Sequence, residues 1–238
     1  MIYQRGSIKL FFRKDPTLRG YWALNGNSVD YSENGFNGVD NGVVYNTYRG
    51  FNGQVLQAAF FNGSAYITPS NIFSSTTSAP FSVGCWSRFF GFTSNTEQRA
   101  FNGNRYSSDK GFEFSLFNNN GTPQFEVSVG TGSAWIIDFG TVNIPSSLWN
   151  RINSGDWFFI VVVVTSTSTT LYVNGAPLRI WTYGSSTPVW GSPSLQGVIG
   201  AVRSFNNNFY AHYRGVISEF FLFNRALSSA EISTYYQW

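Results

Sequence analysis

Gly215-Val-Ile-Ser-Glu-Phe-Phe-Leu-Phe-Asn-Arg-Ala-Leu-Ser-Ser-Ala-Glu-Ile232 sets the architecture: an apolar strand passes through a polar turn into the start of a helix. Ser228 followed by Glu231 fits a capping box, in which each side chain satisfies an orphan backbone amide of the first helical turn. A short terminal helix is therefore predicted. Upstream, short β-rich segments are broken by Asn, Gly, Ser and Pro about every 8 to 15 residues, the texture of antiparallel sandwiches rather than βαβ units.

Two segments give hairpins. Phe112-Glu-Phe-Ser-Leu-Phe117 and Gln124-Phe-Glu-Val-Ser-Val129 alternate apolar and polar side chains, and Asn118-Asn-Asn-Gly-Thr-Pro123 between them is turn chemistry. Thr169-Thr-Leu-Tyr-Val173 alternates and runs into Asn174-Gly175, a second hairpin signal. Trp157 to Val164 is apolar at every position, so a central strand covered on both faces is predicted there.

Composition narrows the class. Only 11% of the 238 residues are charged and 19% are Phe, Trp or Tyr, so the chain depends on aromatic packing and an uncharged polar surface. A chain of this length buries about 70% of its unfolded surface and needs no staple. Cys85 is the only cysteine, which excludes an intrachain disulfide, and its apolar neighbours make it a small core residue. No internal repeat or linker appears, so residues 19–238 read as one domain. Residues 1–18 stand apart as a basic arm carrying Arg5, Lys9, Arg13 and Lys14, read either as an edge strand with solvated charges or as an assembly arm docking on an acidic partner.

The whole-chain charge is +3, while the first 19 residues alone carry +4. The remainder is nearly neutral, without the broad basic face that nucleic-acid binding needs. No run reaches the roughly 18 apolar residues of a membrane span, and the N-terminus lacks the long apolar stretch of a signal peptide. The expected location is a virion surface or the cell exterior, reached from the cytoplasm without a classical signal peptide.

Four blocks in order resemble laminin-G-like domains of the concanavalin A-like lectin/glucanase superfamily. They are Tyr21-Trp-Ala-Leu-Asn-Gly-Asn27 with Asp30-Tyr-Ser-Glu-Asn-Gly-Phe-Asn-Gly38; Ala59-Phe-Phe-Asn-Gly-Ser-Ala-Tyr-Ile67 with Phe81-Ser-Val-Gly-Cys-Trp86; Trp157 to Val164 with Leu171-Tyr-Val-Asn-Gly175; and the closing block from Gly215. The resemblance implies an all-β, antiparallel jelly-roll sandwich, with Trp22, Phe60, Trp86, Trp157, Val161, Val163, Tyr172 and Phe221 expected to point between the sheets. It also raises calcium, at Asp30 and Asn34 with Ser218 or Glu219, although Asn25 and Ser218 stand where the family usually has Asp. The alternative at Asp30 and Asn34 is an Asx-turn that uses the loop's own amides.

Chemistry is sparse. Glycoside hydrolysis needs two carboxylates about 5 to 9.5 Å apart, and Glu113 and Glu126 each sit alone on their strands. His212 is the sole histidine, so neither a histidine-rich zinc site nor a histidine pair can form, and no Gly-x-Ser-x-Gly elbow positions a nucleophile. A non-catalytic recognition module remains, with a glycan or another cell-surface ligand as partner. Loop residues Tyr183, Trp190, Arg203, Asn206, Asn207 and Tyr210 supply the aromatic faces and polar groups that sugars need. A structural protein of a phage particle, built on viral partners or self-association, is the other reading.

Overall fold

The computed structural model describes residues 14–50, 53, 55–70, 78–92, 97–102, 110–191, 197–203 and 208–237. Arg5, Lys9, Arg13, Asn206 and Asn207 lie outside them. The strands in chain order are β1 (Leu18–Trp22), β2 (Gly38–Asn41), β3 (Val44–Arg49), β4 (Val55–Asn62), β5 (Tyr66–Pro69), β6 (Phe81–Phe89), β7 (Glu97–Asn102), β8 (Lys110–Asn119), β9 (Thr122–Gly132) and β10 (Trp135–Asn143). Helix α1 (Ser146–Asn153) follows, then β11 (Trp157–Val164), β12 (Ser168–Val173), β13 (Ala176–Thr182), β14 (Val198–Ile199), β15 (Val202–Arg203), β16 (Phe209–Tyr210), β17 (Arg214–Phe223) and α2 (Ser229–Tyr236).

Two antiparallel sheets form the sandwich. One runs β13-β12-β11-β6-β17-β4-β3 with β1 also paired to β17, and the other runs β10-β9-β8-β7-β14-β5-β2. Both expected hairpins form. Asn120 and Gly121 turn at φ +49° and +93°, and Asn174 and Gly175 at +52° and +80°, the left-handed pair that a two-residue turn between twisted strands requires.

Between the sheets, Phe81 meets Phe112 edge-on at 5.7 Å, Phe101 meets Phe220 at 5.4 Å and Phe125 meets Phe158 at 6.3 Å. Cys85 is fully buried in this layer, and burial pushes its thiol well above the ordinary range. Strand β11 is buried at every position as expected, because its two faces serve different layers. Phe158, Ile160, Val162 and Val164 point between the sheets, and Trp157, Phe159, Val161 and Val163 point outward.

That outer layer corrects the core assignment. Trp22 lies between the sheets, 5.6 Å from Phe220. Trp86, Trp157, Val161, Val163, Tyr172 and Phe221 lie on the opposite face, with half-buried Phe60 beside them, in a second apolar cluster that includes Ile232 and Tyr235 of α2. Tyr236 stacks on Trp86 at 5.7 Å, and the hydroxyls of Tyr172 and Ser229 are 3.0 Å apart. A two-residue period says which side chains share a face, and the partner layer says which face that is.

The capping box predicted for α2 is complete. Ser228 Oγ accepts from the Glu231 amide at 3.2 Å, and Glu231 Oε2 accepts from the Ser228 amide at 2.8 Å. Arg225 braces it with bonds of 3.0 and 2.7 Å to Glu231, and it reaches Asp15 at 2.6 Å, tying the entry to β1 against the last helix.

Candidate functional site

Strands β10 and β13 are the edges of the two sheets on one side of the sandwich, and a groove of about 470 Å³ opens between them. Ile136, Ile137 and Asp138 form one wall, and Arg179, Trp181 and Tyr183 stand on the other. A bulge builds the first wall. Ile137 pairs with Val129 but Gly140 pairs with Val127, which leaves an extra residue in β10. Phe139 absorbs it at φ +52°, its amide donating to Ser128 Oγ at 3.1 Å. A bulge re-aims neighbouring side chains; here Asp138 faces the groove and Phe139 stays 48% exposed. A left-handed non-glycine residue costs about 1 to 3 kcal/mol, and such strain gathers at functional positions.

The second wall is rigid. Arg179 and Trp181 alternate along β13, and the Arg179 guanidinium lies 6.0 Å from the indole centroid. Trp181 also packs on the inter-sheet core. It can approach β10 because position 140 is glycine: a Cβ there would sit 3.1 Å from Trp181 Nε1 and 2.5 Å from Ile137 Cγ2. Tyr183 donates its hydroxyl to the Thr165 carbonyl at 2.9 Å and lies 3.1 Å from Thr169 Oγ1. Burial raises its phenol, the Thr169 contact opposing, so the ring holds a neutral hydroxyl in a fixed place.

The other predicted ligand residues scatter. Trp190 is 2% exposed, its ring stacked on Phe112 at 5.1 Å and edge-on to Phe81 at 6.0 Å; both neighbours claim it for the core, so it offers no platform to a ligand. Arg203 and Tyr210 belong to the small β15–β16 sheet, where Arg203 lies 6.0 Å from the Phe209 ring and Phe209 stacks on Tyr66 of β5 at 3.8 Å. Strand β5 is five places from β10 in its sheet, about 24 Å away. Among the described residues, Tyr183 is thus the one predicted ligand residue that lines the groove. Sequence reading missed Asp138, Arg179 and Trp181 as a set.

The loop proposed for calcium closes on itself. Asp30 Oδ1 accepts from the Tyr21 and Ser32 amides, each at 2.9 Å, and Oδ2 accepts from Ser32 Oγ at 2.8 Å and the Phe36 amide at 3.0 Å. The Asn34 amide nitrogen donates to the carbonyls of Leu18 and Arg19 at 3.1 and 3.2 Å. Glu219, at φ +54° in a bulge of β17, accepts from the Tyr21 hydroxyl, and Ser218 Oγ reaches the Ala23 carbonyl at 3.4 Å. Calcium wants six to eight oxygens. Here both Asp30 oxygens face donors, and the described residues contain no group of three His, Cys, Asp or Glu that could hold a metal. The arrangement does not fit calcium; Asp30 forms the Asx-turn on the loop's own amides, while Asn34 instead donates to β1 carbonyls.

The carboxylates Glu113 and Glu126 need a correction of their own. Glu113 pairs with Ser128 and Ser115 with Glu126, so the two acids are diagonal neighbours on one face of the β8–β9 hairpin, with backbones about 7 to 8 Å apart. They are isolated within their strands and adjacent across them. Glu113 is fully buried and Glu126 is 3% exposed, with Ser115 Oγ 3.4 Å from Glu126 Oε1. Neither lines the groove.

Solved structures similar to this chain include binding domains of neurotoxins and a domain of an arabinanase. The binding domain of Botulinum neurotoxin serotype G aligns with a TM-score of 0.62 at 15% identity, covering 92% of this chain and 50% of that one. The binding domain of Botulinum neurotoxin DC in complex with SialylT aligns at 0.60 and 13%, covering 92% and 50%. Domain 4 of AbnA, an extracellular GH43 arabinanase from Geobacillus stearothermophilus, in complex with arabinotriose, aligns at 0.53 and 18%, covering 92% and 97%. The chain spans about half the length of the neurotoxin domains it matches. No curated protein matches its sequence. A laminin-G-like family model, described as concanavalin A-like lectin/glucanases superfamily, covers residues 61–233. With that match over most of its length and with two antiparallel sheets in a sandwich, the chain belongs to the concanavalin A-like lectin/glucanases superfamily.

Proposed function

We propose that the protein is a non-catalytic recognition module that binds carbohydrate in the groove between β10 and β13. The observation that carries this reading is the pairing of Asp138, aimed into the cleft beside the strained bulge residue Phe139, with Arg179, Trp181 and Tyr183 across it. A sugar presents an apolar face of C–H groups and a rim of hydroxyls. The Trp181 and Tyr183 rings suit the first, and the carboxylate and guanidinium suit the second with charge-assisted hydrogen bonds. A similar binding domain solved with SialylT and a similar arabinanase domain solved with arabinotriose support the ligand class.

Hydrolysis would need a second carboxylate in the groove at about 5 to 9.5 Å, and Asp138 is the one acid lining it among the described residues. Glu113 and Glu126 are neighbours across the β8–β9 ladder, but both are buried and neither lines the groove. A glycan array followed by calorimetry tests the proposal. Specific hits should weaken about tenfold or more in Trp181→Ala and in the exposed variants Asp138→Asn and Arg179→Ala, with no reducing sugar released. Absence of hits, or hits indifferent to all three substitutions, refutes it.

A further inference from the structure

A second pocket lies at the opposite end of the eight-stranded sheet. Register places Trp157, the first residue of β11, against Arg88 of β6, whereas Val164, the last, leads through Thr169 to Trp181. Seven residues along a strand separate the two places by about 23 Å. The pocket holds about 270 Å³ and is lined by Arg49, Arg88, Arg151, Asp156 and Trp157 with two glycines. In a chain with only 11% charged residues, three guanidiniums converge here on one carboxylate.

Arg88 is the fixed element. Half-buried, it donates Nε to the Gly155 carbonyl at 2.5 Å. Its guanidinium carbon lies 5.8, 5.6 and 5.9 Å from the rings of Tyr48, Phe90 and Trp157. These contacts hold the planar group by its stem and edges, and no described residue accepts a hydrogen bond from its two terminal nitrogens. Trp157 Nε1 donates to the Arg49 carbonyl at 2.7 Å, which fixes the end of β3 beside it. Arg151 contacts Asp156 at 3.2 Å, but each side chain is 51% exposed, and such a pair is worth little in water. Three guanidiniums facing one weakly engaged carboxylate leave a positive cavity with a rigid fork at its centre, the geometry that takes two oxygens of an oxyanion side by side.

We infer that this pocket is an oxyanion subsite that takes the sulfate or carboxylate group of an acidic saccharide. Trp157, the aromatic residue in the lining, gives the attached sugar ring an apolar contact, and the pocket volume suits one charged group with part of its ring rather than a whole oligosaccharide. The site shares no residue with the groove, so each stands or falls alone.

Calorimetry on the full chain, with a heparin-derived oligosaccharide, an oligogalacturonate and inorganic sulfate as probes, decides the matter. At least one acidic saccharide should bind, weaken as salt rises and be displaced by inorganic sulfate. Heparin alone binding assigns sulfate, and galacturonate alone assigns carboxylate. Arg88→Gln should weaken binding about tenfold or more. The exposed Arg49→Ala should weaken it while leaving the melting temperature unchanged, which covers the case of a misfolded Arg88 variant. Asp156→Asn should strengthen binding, an outcome that a merely structural role for the cluster would not produce. Trp181→Ala should leave acidic-saccharide binding intact, separating this pocket from the groove. Failure of both saccharides to bind, affinity unchanged in Arg49→Ala and Arg88→Gln, or equal affinity for an oligonucleotide of matched charge overturns the assignment.

Discussion

Glu231→Gln tests whether the Arg225 clamp holds the last helix against the sandwich. Arg225 hydrogen bonds foremost, then the amide and hydroxyl of Ser228, hold the Glu231 carboxyl at about 2, against an ordinary 4.5. At 1.36 kcal/mol per unit the difference sets a ceiling of about 3.4 kcal/mol. The side chain is 32% exposed, so solvent screening reduces the expected cost to about 1 to 2 kcal/mol. Glutamine keeps an oxygen for the Ser228 amide, so the substitution removes charge more than cap. The folded-state value is depressed, so the stabilisation is fully present above the unfolded value near 4.5 and is lost as pH falls toward 2. Asp15 works in the same direction: burial opposes its ionisation, but hydrogen bonds from Thr17 and Arg225 outweigh burial and lower its value. Urea unfolding followed by tryptophan fluorescence should give a variant weaker by about 1 to 2 kcal/mol at pH 7, with the gap closing near pH 2. A gap that persists unchanged at pH 2, or none at pH 7, refutes the clamp.

Gly140→Ala should destabilise the fold by about 1 to 3 kcal/mol in thermal unfolding, because the added methyl must displace Ile137 or Trp181, and it should narrow the groove enough to weaken any glycan bound there. Phe139→Gly should raise the melting temperature through relief of up to about 1 kcal/mol of left-handed strain while costing affinity; a lower melting temperature would show that the phenyl ring packs more than it strains. Calcium at millimolar concentration should leave calorimetric heat and melting temperature flat, and a saturable heat lost in Asp30→Asn would restore the metal.

Local chemistry was legible and long-range register was not. The capping box, the Asn174-Gly175 turn and the uninterrupted apolar run of β11 each carry their instruction within a few residues, and each formed as read. Which face of the sheet Trp86 and Tyr172 occupy depends on what covers that face, and the cover is a helix about 60 residues beyond Tyr172 in sequence. Bulges are harder still. The extra residue at Asp138–Phe139 exists only relative to β9, and the one at Glu219 only relative to β6, so no single-strand pattern betrays either. The groove inherits this difficulty because its walls come from strands about 40 residues apart in different sheets. Glu113 and Glu126 looked solitary for the same reason: the β8–β9 ladder makes them neighbours.

The groove walls belong to separate layers that are joined mainly through the shared interior. A saccharide touching Asp138 on one side and Arg179 on the other acts as a strut between the two layers. Occupancy then resists the sheets sliding apart, and ligand at a hundredfold excess over its dissociation constant adds about 2.7 kcal/mol to resistance against unfolding. A thermal-shift screen therefore doubles as a ligand search, because the cleft is a seam in the molecule and whatever fills it also splices it.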